Sequence, residues 1–233
     1  MQVTMQRTEQ RSSGTLRPPG VGPAPRDALD LLEQFGTTVS VPHEREIHGQ
    51  GDEAGYCYWI VSGCVWTVTL MEDGRRQVSE FLMAGDMFGF DALGTYDFAA
   101  EAVSDVVLRR YPRRMVDALA EGNATLARRL RDMASISLRV AHARLLLLGR
   151  KTTSEQIASF LMEMAERLPG TLGRAIKLPM SRTDVADHLG LTIETVCRVL
   201  AHLRREGIIA IERSMMTVRD ADALQQMACE PRH

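Results

Sequence analysis

The chain has 233 residues, 45% of them hydrophobic and 25% charged, with a formal net charge of -2. That length makes one large or two small domains, and the composition supports a sizeable core, which excludes a disordered or collagen-like chain. No apolar run approaches the roughly 20 residues of a membrane span and no signal-peptide core opens the chain, so a cytoplasmic protein is expected. Cys57, Cys64, Cys197 and Cys229 are too few and too scattered for a disulfide scaffold.

The overall charge hides an asymmetry. Residues 27–108 carry a net -12, whereas 109–149 carry +6 and 150–219 carry +3. An acidic half joined to a basic half points to an anionic partner for the basic half.

Residues 1–26 hold almost no apolar side chains and read as a flexible tail. Residues 27–36 (DALDLLEQFG) read as a short amphipathic helix closed by Gly36. Through 111, short β-rich runs at 56–61, 65–71 and 77–82 alternate with turn residues, and glycines recur at Gly51, Gly63, Gly74 and Gly85. This spacing predicts antiparallel strands folded into a sandwich or jelly roll over 37–111, within a domain of 27–111. The turn at 72–75 (EDGR) suits a hairpin, because Asp-Gly supplies positive φ.

Pro112 ends the last strand, a short helix follows at 113–120, and 123–149 reads as a long helix without proline. Leu119, Leu126, Met133, Val140 and Leu147 fall seven apart, and Leu130 flanks them. Such a seam meets a second copy of the chain or packs on the strand domain. Arg128, Arg129, Arg131, Arg139 and Arg144 leave only a narrow stripe, which favours self-association along 112–149.

A second unit spans 150–219. It opens with an amphipathic helix at 153–168, followed by a loop marked by Gly173 and Pro179. Residues 181–184 (SRTD) form a capping-box start, Gly190 permits a sharp turn, and Thr192 caps a second helix running to about Glu206. Ala186 lets the helices cross closely, while Val185, Leu189, Leu191, Val196, Val199 and Leu200 fill the space between them. Runs at 208–211 and 215–218 add a hairpin, so the unit reads as a winged helix-turn-helix rather than a plain helix pair. Residues 220–233 read as a C-terminal tail.

The second helix exposes Thr192, Glu194, Thr195, Cys197, Arg198 and Arg204. Arg198 suits a bidentate bond to guanine and Glu194 an acceptor for cytosine N4; as alternatives, Arg198 is a solvated charge and Glu194 an acid favoured at a helix N-terminus. Cys197 is either a small hydrophobe against a thymine methyl or a redox switch, since oxidation adds bulk and negative charge beside phosphates.

The run MSRTDVADHLGLTIETVCR at 180–198, with Gly51-Asp52, Gly63, Gly74 and the 85–89 segment GDMFG, resembles the CRP/FNR superfamily of bacterial transcription regulators over about 30–219. The resemblance implies an α+β chain with an N-terminal antiparallel β jelly-roll sensory domain, a long dimerisation helix and a C-terminal winged helix-turn-helix. It further implies a homodimer on palindromic double-stranded DNA that recruits RNA polymerase. The positions of Glu194 and Arg198 then read bases and that of Arg182 touches phosphate; Cys197, where relatives commonly have Ser, is a further base-reading candidate, and Ser181, Thr192 and Thr195 are further phosphate candidates. Surface loops of the sensory domain touch polymerase in relatives, which makes the 72–76 hairpin a candidate contact.

Cyclic-AMP-binding relatives carry a Glu where this chain has Phe90, and an Arg for the phosphate. From Gln77 to Leu108 there is no Lys or Arg against six acids, so no cyclic nucleotide is expected. No cysteine precedes Cys57, so no iron–sulfur cluster is expected either, and His43 and His48 read as surface residues. Without cofactor or metal, the chain resembles the FixK-type branch, which implies control of low-oxygen, denitrification or nitrogen-fixation genes at a TTG…CAA palindrome. A sensor of the same family gated by an unassigned small molecule is the alternative. No catalytic constellation is discernible.

Overall fold

A computed structural model describes residues 32–71, 74, 76–90, 93–168, 175–212 and 215–229. The expected tail at 1–26, most of the expected helix at 27–36 and the turn residues Glu72, Asp73 and Arg75 lie outside the described residues.

Eight strands form two four-stranded antiparallel sheets. One has the order β1 (Thr37–Val41), β8 (Val106–Pro112), β3 (Tyr56–Ser62), β6 (Met87–Phe88); the other has β2 (Glu46–His48), β7 (Ala99–Ala102), β4 (Cys64–Leu70), β5 (Arg76–Met83). Tyr58, Ile60, Val65, Leu82, Phe88 and Leu108 fill the space between the sheets. Several of the residues alternating with them face outward and are also buried, because helices cover much of both outer faces. Cys57, Met87 and Tyr111 of the first sheet pack on the central helices, and Cys64, Trp66, Val68, Phe81 and Met83 of the second pack on the C-terminal unit. Two-sided burial is why β3 and β4 read as nearly unbroken apolar runs. Gly63 makes the β3–β4 turn at φ 92°, and a Cβ there would lie 2.4 Å from the Asp105 carbonyl oxygen.

His48, expected at the surface, lies inside the barrel at 8% exposure, stacked on Tyr96 with centroids 3.6 Å apart. Burial pushes its pKa down to about 4, with the Gly49 backbone and Asp52 opposing, so it is neutral at physiological pH. Sequence position beside a charged turn did not reveal that β2 turns this residue inward.

After the barrel come α1 (Arg113–Gly122) and α2 (Ala124–Arg150). The Asn123 side chain starts α2 by accepting from the Thr125 and Leu126 N–H groups at 3.0 Å. Part of the expected dimer seam, Leu126 and Met133, is covered within the chain. Leu126 and Met133 are 0% and 2% exposed, packed with Leu32, Cys57, Tyr111 and Val116, and Leu119 and Leu130 join them. Leu147 packs on the C-terminal core and Val140 is half-buried. A seven-residue repeat locates a stripe but not what covers it, and here the barrel covers its first half. The neighbouring stripe faces outward: Ala134, Leu138, Ala141, Leu145 and Leu148 are exposed and follow at intervals of 4, 3, 4 and 3. Arg144, expected to flank the seam, is half-buried and bonded inward.

The C-terminal unit contains α3 (Thr153–Arg167), α4 (Arg182–Leu189), α5 (Ile193–Arg205), β10 (Ile209–Glu212), β11 (Met215–Val218) and α6 (Ala221–Cys229). Most of the expected tail is therefore helix. Asp220 caps α6 through the Ala223 N–H at 2.9 Å, and Leu224 and Ala228 are buried in the core that includes α3. Nine residues with one Leu and one Met carry too weak a periodicity to predict this helix from sequence. The expected 173–179 loop holds a short strand, β9 (Ile176–Lys177), which pairs with β11 by placing Ile176 opposite Met216. At the α2–α3 junction, Gln156 Nε2 donates to the Leu147 and Lys151 carbonyls at 3.3 Å. Lys151 Nζ donates to Ser159 Oγ at 2.7 Å and the Ala228 carbonyl at 2.8 Å.

Ion pairs reinforce the apolar joint between barrel and C-terminal unit. Arg76 lies 4.4 Å over the Trp66 ring and donates to Asp184 Oδ1 at 2.9 Å and Asp187 Oδ2 at 2.8 Å. Gln77 Nε2 donates to the Asp187 carbonyl at 2.7 Å. Arg167 pairs with Asp86 and with Glu163 at 3.0 Å, and donates to the Phe81 carbonyl. Glu80 lies among these charges. Burial pushes its carboxyl up to about 7; Arg167 and Arg144 oppose the shift, while Asp86 and Glu163 add to it.

The native state holds the Glu80 proton more tightly than the unfolded chain does. Its contribution to stability is therefore complete below the ordinary carboxylate range and is lost as pH rises through 7. Glu80→Gln removes this loss. Melting curves should show the Tm of the variant rising relative to the parent between pH 5 and pH 8; a difference that shrinks with pH would contradict the assignment.

Candidate nucleic-acid interface

Local chemistry builds α4 and α5. Ser181 Oγ accepts from the Asp184 N–H at 3.2 Å, and Asp184 Oδ2 accepts from the Ser181 N–H at 2.7 Å, a reciprocal cap. Gly190, at φ 65°, ends α4 in the left-handed region and lets the Leu191 N–H reach the Ala186 carbonyl at 3.0 Å. Thr192 Oγ1 then accepts from the Thr195 N–H at 3.3 Å and starts α5. Val185, Ala186, Leu189, Val196 and Val199 are buried, with Leu191 and Leu200 partly so. Strands β10 and β11 form the antiparallel hairpin beside them.

This frame leaves one face open. Ser181, Arg182, Thr192, Glu194, Arg198 and Arg204 are exposed, while Thr195 and Cys197 are half-buried. Arg182 Nη1 lies 3.5 Å from Cys197 Sγ, so the first turn of α4 touches the second turn of α5. The Glu194 carboxyl is held below its usual range, first by its own backbone N–H and then by the Thr192 hydroxyl. Thr192 and Thr195 place their hydroxyls 3.2 Å apart. The Ser181 and Thr192 hydroxyls thus already serve as caps. Arg198 has no hydrogen-bond partner among the described residues.

Sequence reading missed the support from outside the helix pair. Asp184 caps α4 with one oxygen and takes Arg76 of the barrel with the other. These residues stand 108 positions apart, and no local pattern links them.

Residues 155–227 match the family model described as the Crp-like helix-turn-helix domain, and residues 38–123 match that of the cyclic nucleotide-binding domain. The chain is 39% identical over 210 residues to the nitrogen fixation regulation protein FixK of Rhizobium meliloti, covering 90% of this chain and 89% of that one. It belongs to the CRP/FNR family of transcription regulators. Another CRP/FNR member, FixK of Azorhizobium caulinodans, is 41% identical over 202 residues, covering 84% of this chain and 81% of its own. The structure of FixK2 from Bradyrhizobium japonicum superposes with a TM-score of 0.80 at 37% identity, covering 84% of this chain and 99% of that one. As a CRP/FNR regulator the chain is a DNA-binding protein and not an enzyme, and its α+β architecture is that of the family.

The match to the cyclic nucleotide-binding domain concerns the barrel, whose residues do not fit a cyclic phosphate. No Lys or Arg occurs from 77 to 108. Asp86 in that stretch is bonded to Arg167 and the Met83 N–H, and Arg113 is turned onto the Gly89 and Phe90 carbonyls. His48, Tyr58, Phe88 and Tyr96 pack against one another in the interior. Cys57 and Cys64 sit in different sheets and face different cores. Among the described residues no cluster of His, Cys, Asp and Glu is arranged to hold a metal, and no helix is long and apolar enough to cross a membrane.

Proposed function

We propose that this chain acts in the cytoplasm as a homodimeric activator that binds a TTG…CAA-type palindrome and recruits RNA polymerase to low-oxygen, denitrification or nitrogen-fixation genes. The observation that carries the reading is the open face of α5, with Arg198 unpaired among the described residues and Arg182 beside it, in a chain 39% identical to a protein named for nitrogen fixation regulation. In this reading Arg198, Glu194 and Cys197 meet base edges. Arg182, Ser181, Thr192 and Thr195 meet phosphates, the last three chiefly through the capped helix ends. Polymerase contact by the 72–76 hairpin involves Glu72, Asp73 and Arg75, outside the described residues. The packed barrel interior supports DNA binding that needs no nucleotide.

A footprint of protein purified without added nucleotide tests the reading directly. Arg198→Ala should cost about 1–3 kcal/mol and relax preference at one symmetric base pair. Arg182→Ala should weaken every sequence alike and lower the salt slope by roughly one ion per half-site. Exchanged outcomes would exchange the two roles.

The dimer forms along the exposed stripe of α2, Ala134, Leu138, Ala141, Leu145 and Leu148, in place of the buried seam. Its 4–3 spacing matches a coiled-coil seam, and the palindrome then requires the two recognition helices to sit about one DNA turn, ~34 Å, apart. Leu138→Glu with Leu145→Glu should give folded monomers by sedimentation, with little operator binding. By contrast Met133→Glu should unfold the chain, since it buries a charge under the barrel. A dimeric double variant would remove this assignment.

Oxidation of Cys197 inactivates the protein in the same reading. The sulfinic form adds a negative charge 3.5 Å from Arg182, which would turn that guanidinium from phosphate to sulfur. Peroxide should abolish operator binding by the parent, Cys197→Ser should bind and resist it, and Cys197→Asp should not bind. Equal peroxide sensitivity of parent and Cys197→Ser would place the switch elsewhere, with Cys229 next, or nowhere.

A further inference from the structure

The turn of α2 that presents Leu145 and Leu148 outward directs Arg144 inward. The Arg144 guanidinium donates to the Val78 carbonyl at 2.8 Å and to the Ser79 carbonyl, both on β5. It also donates to the His188 carbonyl and lies 2.9 Å from His188 Nδ1, in the last turn of α4. The His188 ring is wedged between Phe81 of β5 and Phe160 of α3, with centroids 4.9 and 5.6 Å away. Burial, with Arg144 beside it, keeps the imidazole well below its usual pKa, so it is neutral and Nδ1 is free to accept.

One side chain therefore ties three bodies together: the central helix, the sensory sheet and the first helix of the helix-turn-helix. Two residues after His188 comes Gly190, from which the chain turns into α5. Arg76 and Gln77, on the same strand as Val78, hold the preceding turn of α4 through Asp184 and Asp187. All these bonds are made while Ser181, Arg182, Glu194 and Arg198 stay exposed. The joint leaves that face uncovered.

We propose that Arg144 is a positioning residue for operator recognition, one that converts the pairing of two central helices into the orientation of each recognition helix. The proposal rests on the dimeric reading above. A palindrome demands that two faces meet two half-sites at once, so an error in the angle of each unit is costly on a full site. On a single half-site the same error costs nothing, because one unit can dock alone.

The experiment uses the full chain. Parent and Arg144→Met are compared by sedimentation and by anisotropy titration of two duplexes, one with the TTG…CAA palindrome and one with half of it scrambled. The expected result is a variant that remains dimeric, loses at least about tenfold in affinity for the palindrome, and stays within about twofold of the parent on the half-site. Palindrome affinity within twofold of the parent overturns the proposal. So does an equal fall on both duplexes, which would mean that Arg144 only supports the fold of the DNA-binding unit. A parent that is monomeric, or shows no preference for the palindrome, overturns the dimeric reading and this proposal with it. If Arg144→Met fails to fold, Arg144→Lys is read by the same criteria. It keeps a cation near Glu80 and Glu163 but cannot span two strand carbonyls and His188.

Discussion

The outer face of the β2-β7-β4-β5 sheet is apolar, and it cannot be left to water. Trp66, Val68, Val78, Phe81 and Met83 form with α3, α4 and α5 a single core in which Phe160, Leu161, Val196 and Leu203 are buried. The hydrophobic effect thus fixes the sensory barrel to the DNA-binding unit, at roughly 25 cal/mol per Å² of apolar surface removed from water. Everything polar at the joint follows from that burial. Arg76, Arg144 and Arg167 are drawn to carbonyls and carboxylates that would otherwise lose water without replacement.

This arrangement joins the barrel to the DNA-binding unit without a flexible tether. The first sheet rests on α1 and α2 through Cys57, Tyr111 and Met133, while the second rests on the helix-turn-helix. The barrel therefore stands between the helix proposed to pair with a second copy and the helix proposed to enter DNA. A change in how the two sheets pack would be felt at both. His48, neutral and stacked on Tyr96 in the interior, lies at the centre of that layer.

The parts legible from sequence were those encoded by neighbours in the chain. Ser181, Asp184, Gly190 and Thr192 carry the helix-turn-helix in their own side chains and dihedral preferences, and their spacing defined α4 and α5 to within a residue or two. Turn glycines likewise marked the strands. What sequence did not reveal depended on what lies across a gap. Two stripes on α2 share nearly the same repeat, and only the barrel decides that Leu126 and Met133 are covered while Leu138 and Leu145 are not. The inward turn of His48, the anchoring of α6 and the reach of Arg76 to Asp184 are likewise contacts between distant segments. Of the candidate interface, the exposed residues and the cap at Ser181 are legible in the sequence, as is the alternative that Glu194 serves its helix N-terminus, but the contact between Arg182 and Cys197 is not.

The shared core also has a consequence for biosynthesis. Ribosomal synthesis is vectorial, so the eight strands of the barrel emerge well before Leu224 and Ala228 of α6. Until α3 through α6 are complete, Trp66, Val68 and Phe81 face solvent on a sheet whose edge strand β5 is unpaired on one side. The half-made chain carries an aggregation-prone surface that the finished one conceals. The Lys151 bond to the Ala228 carbonyl is among the last to close, so the junction below α2 is secured only at the end of synthesis.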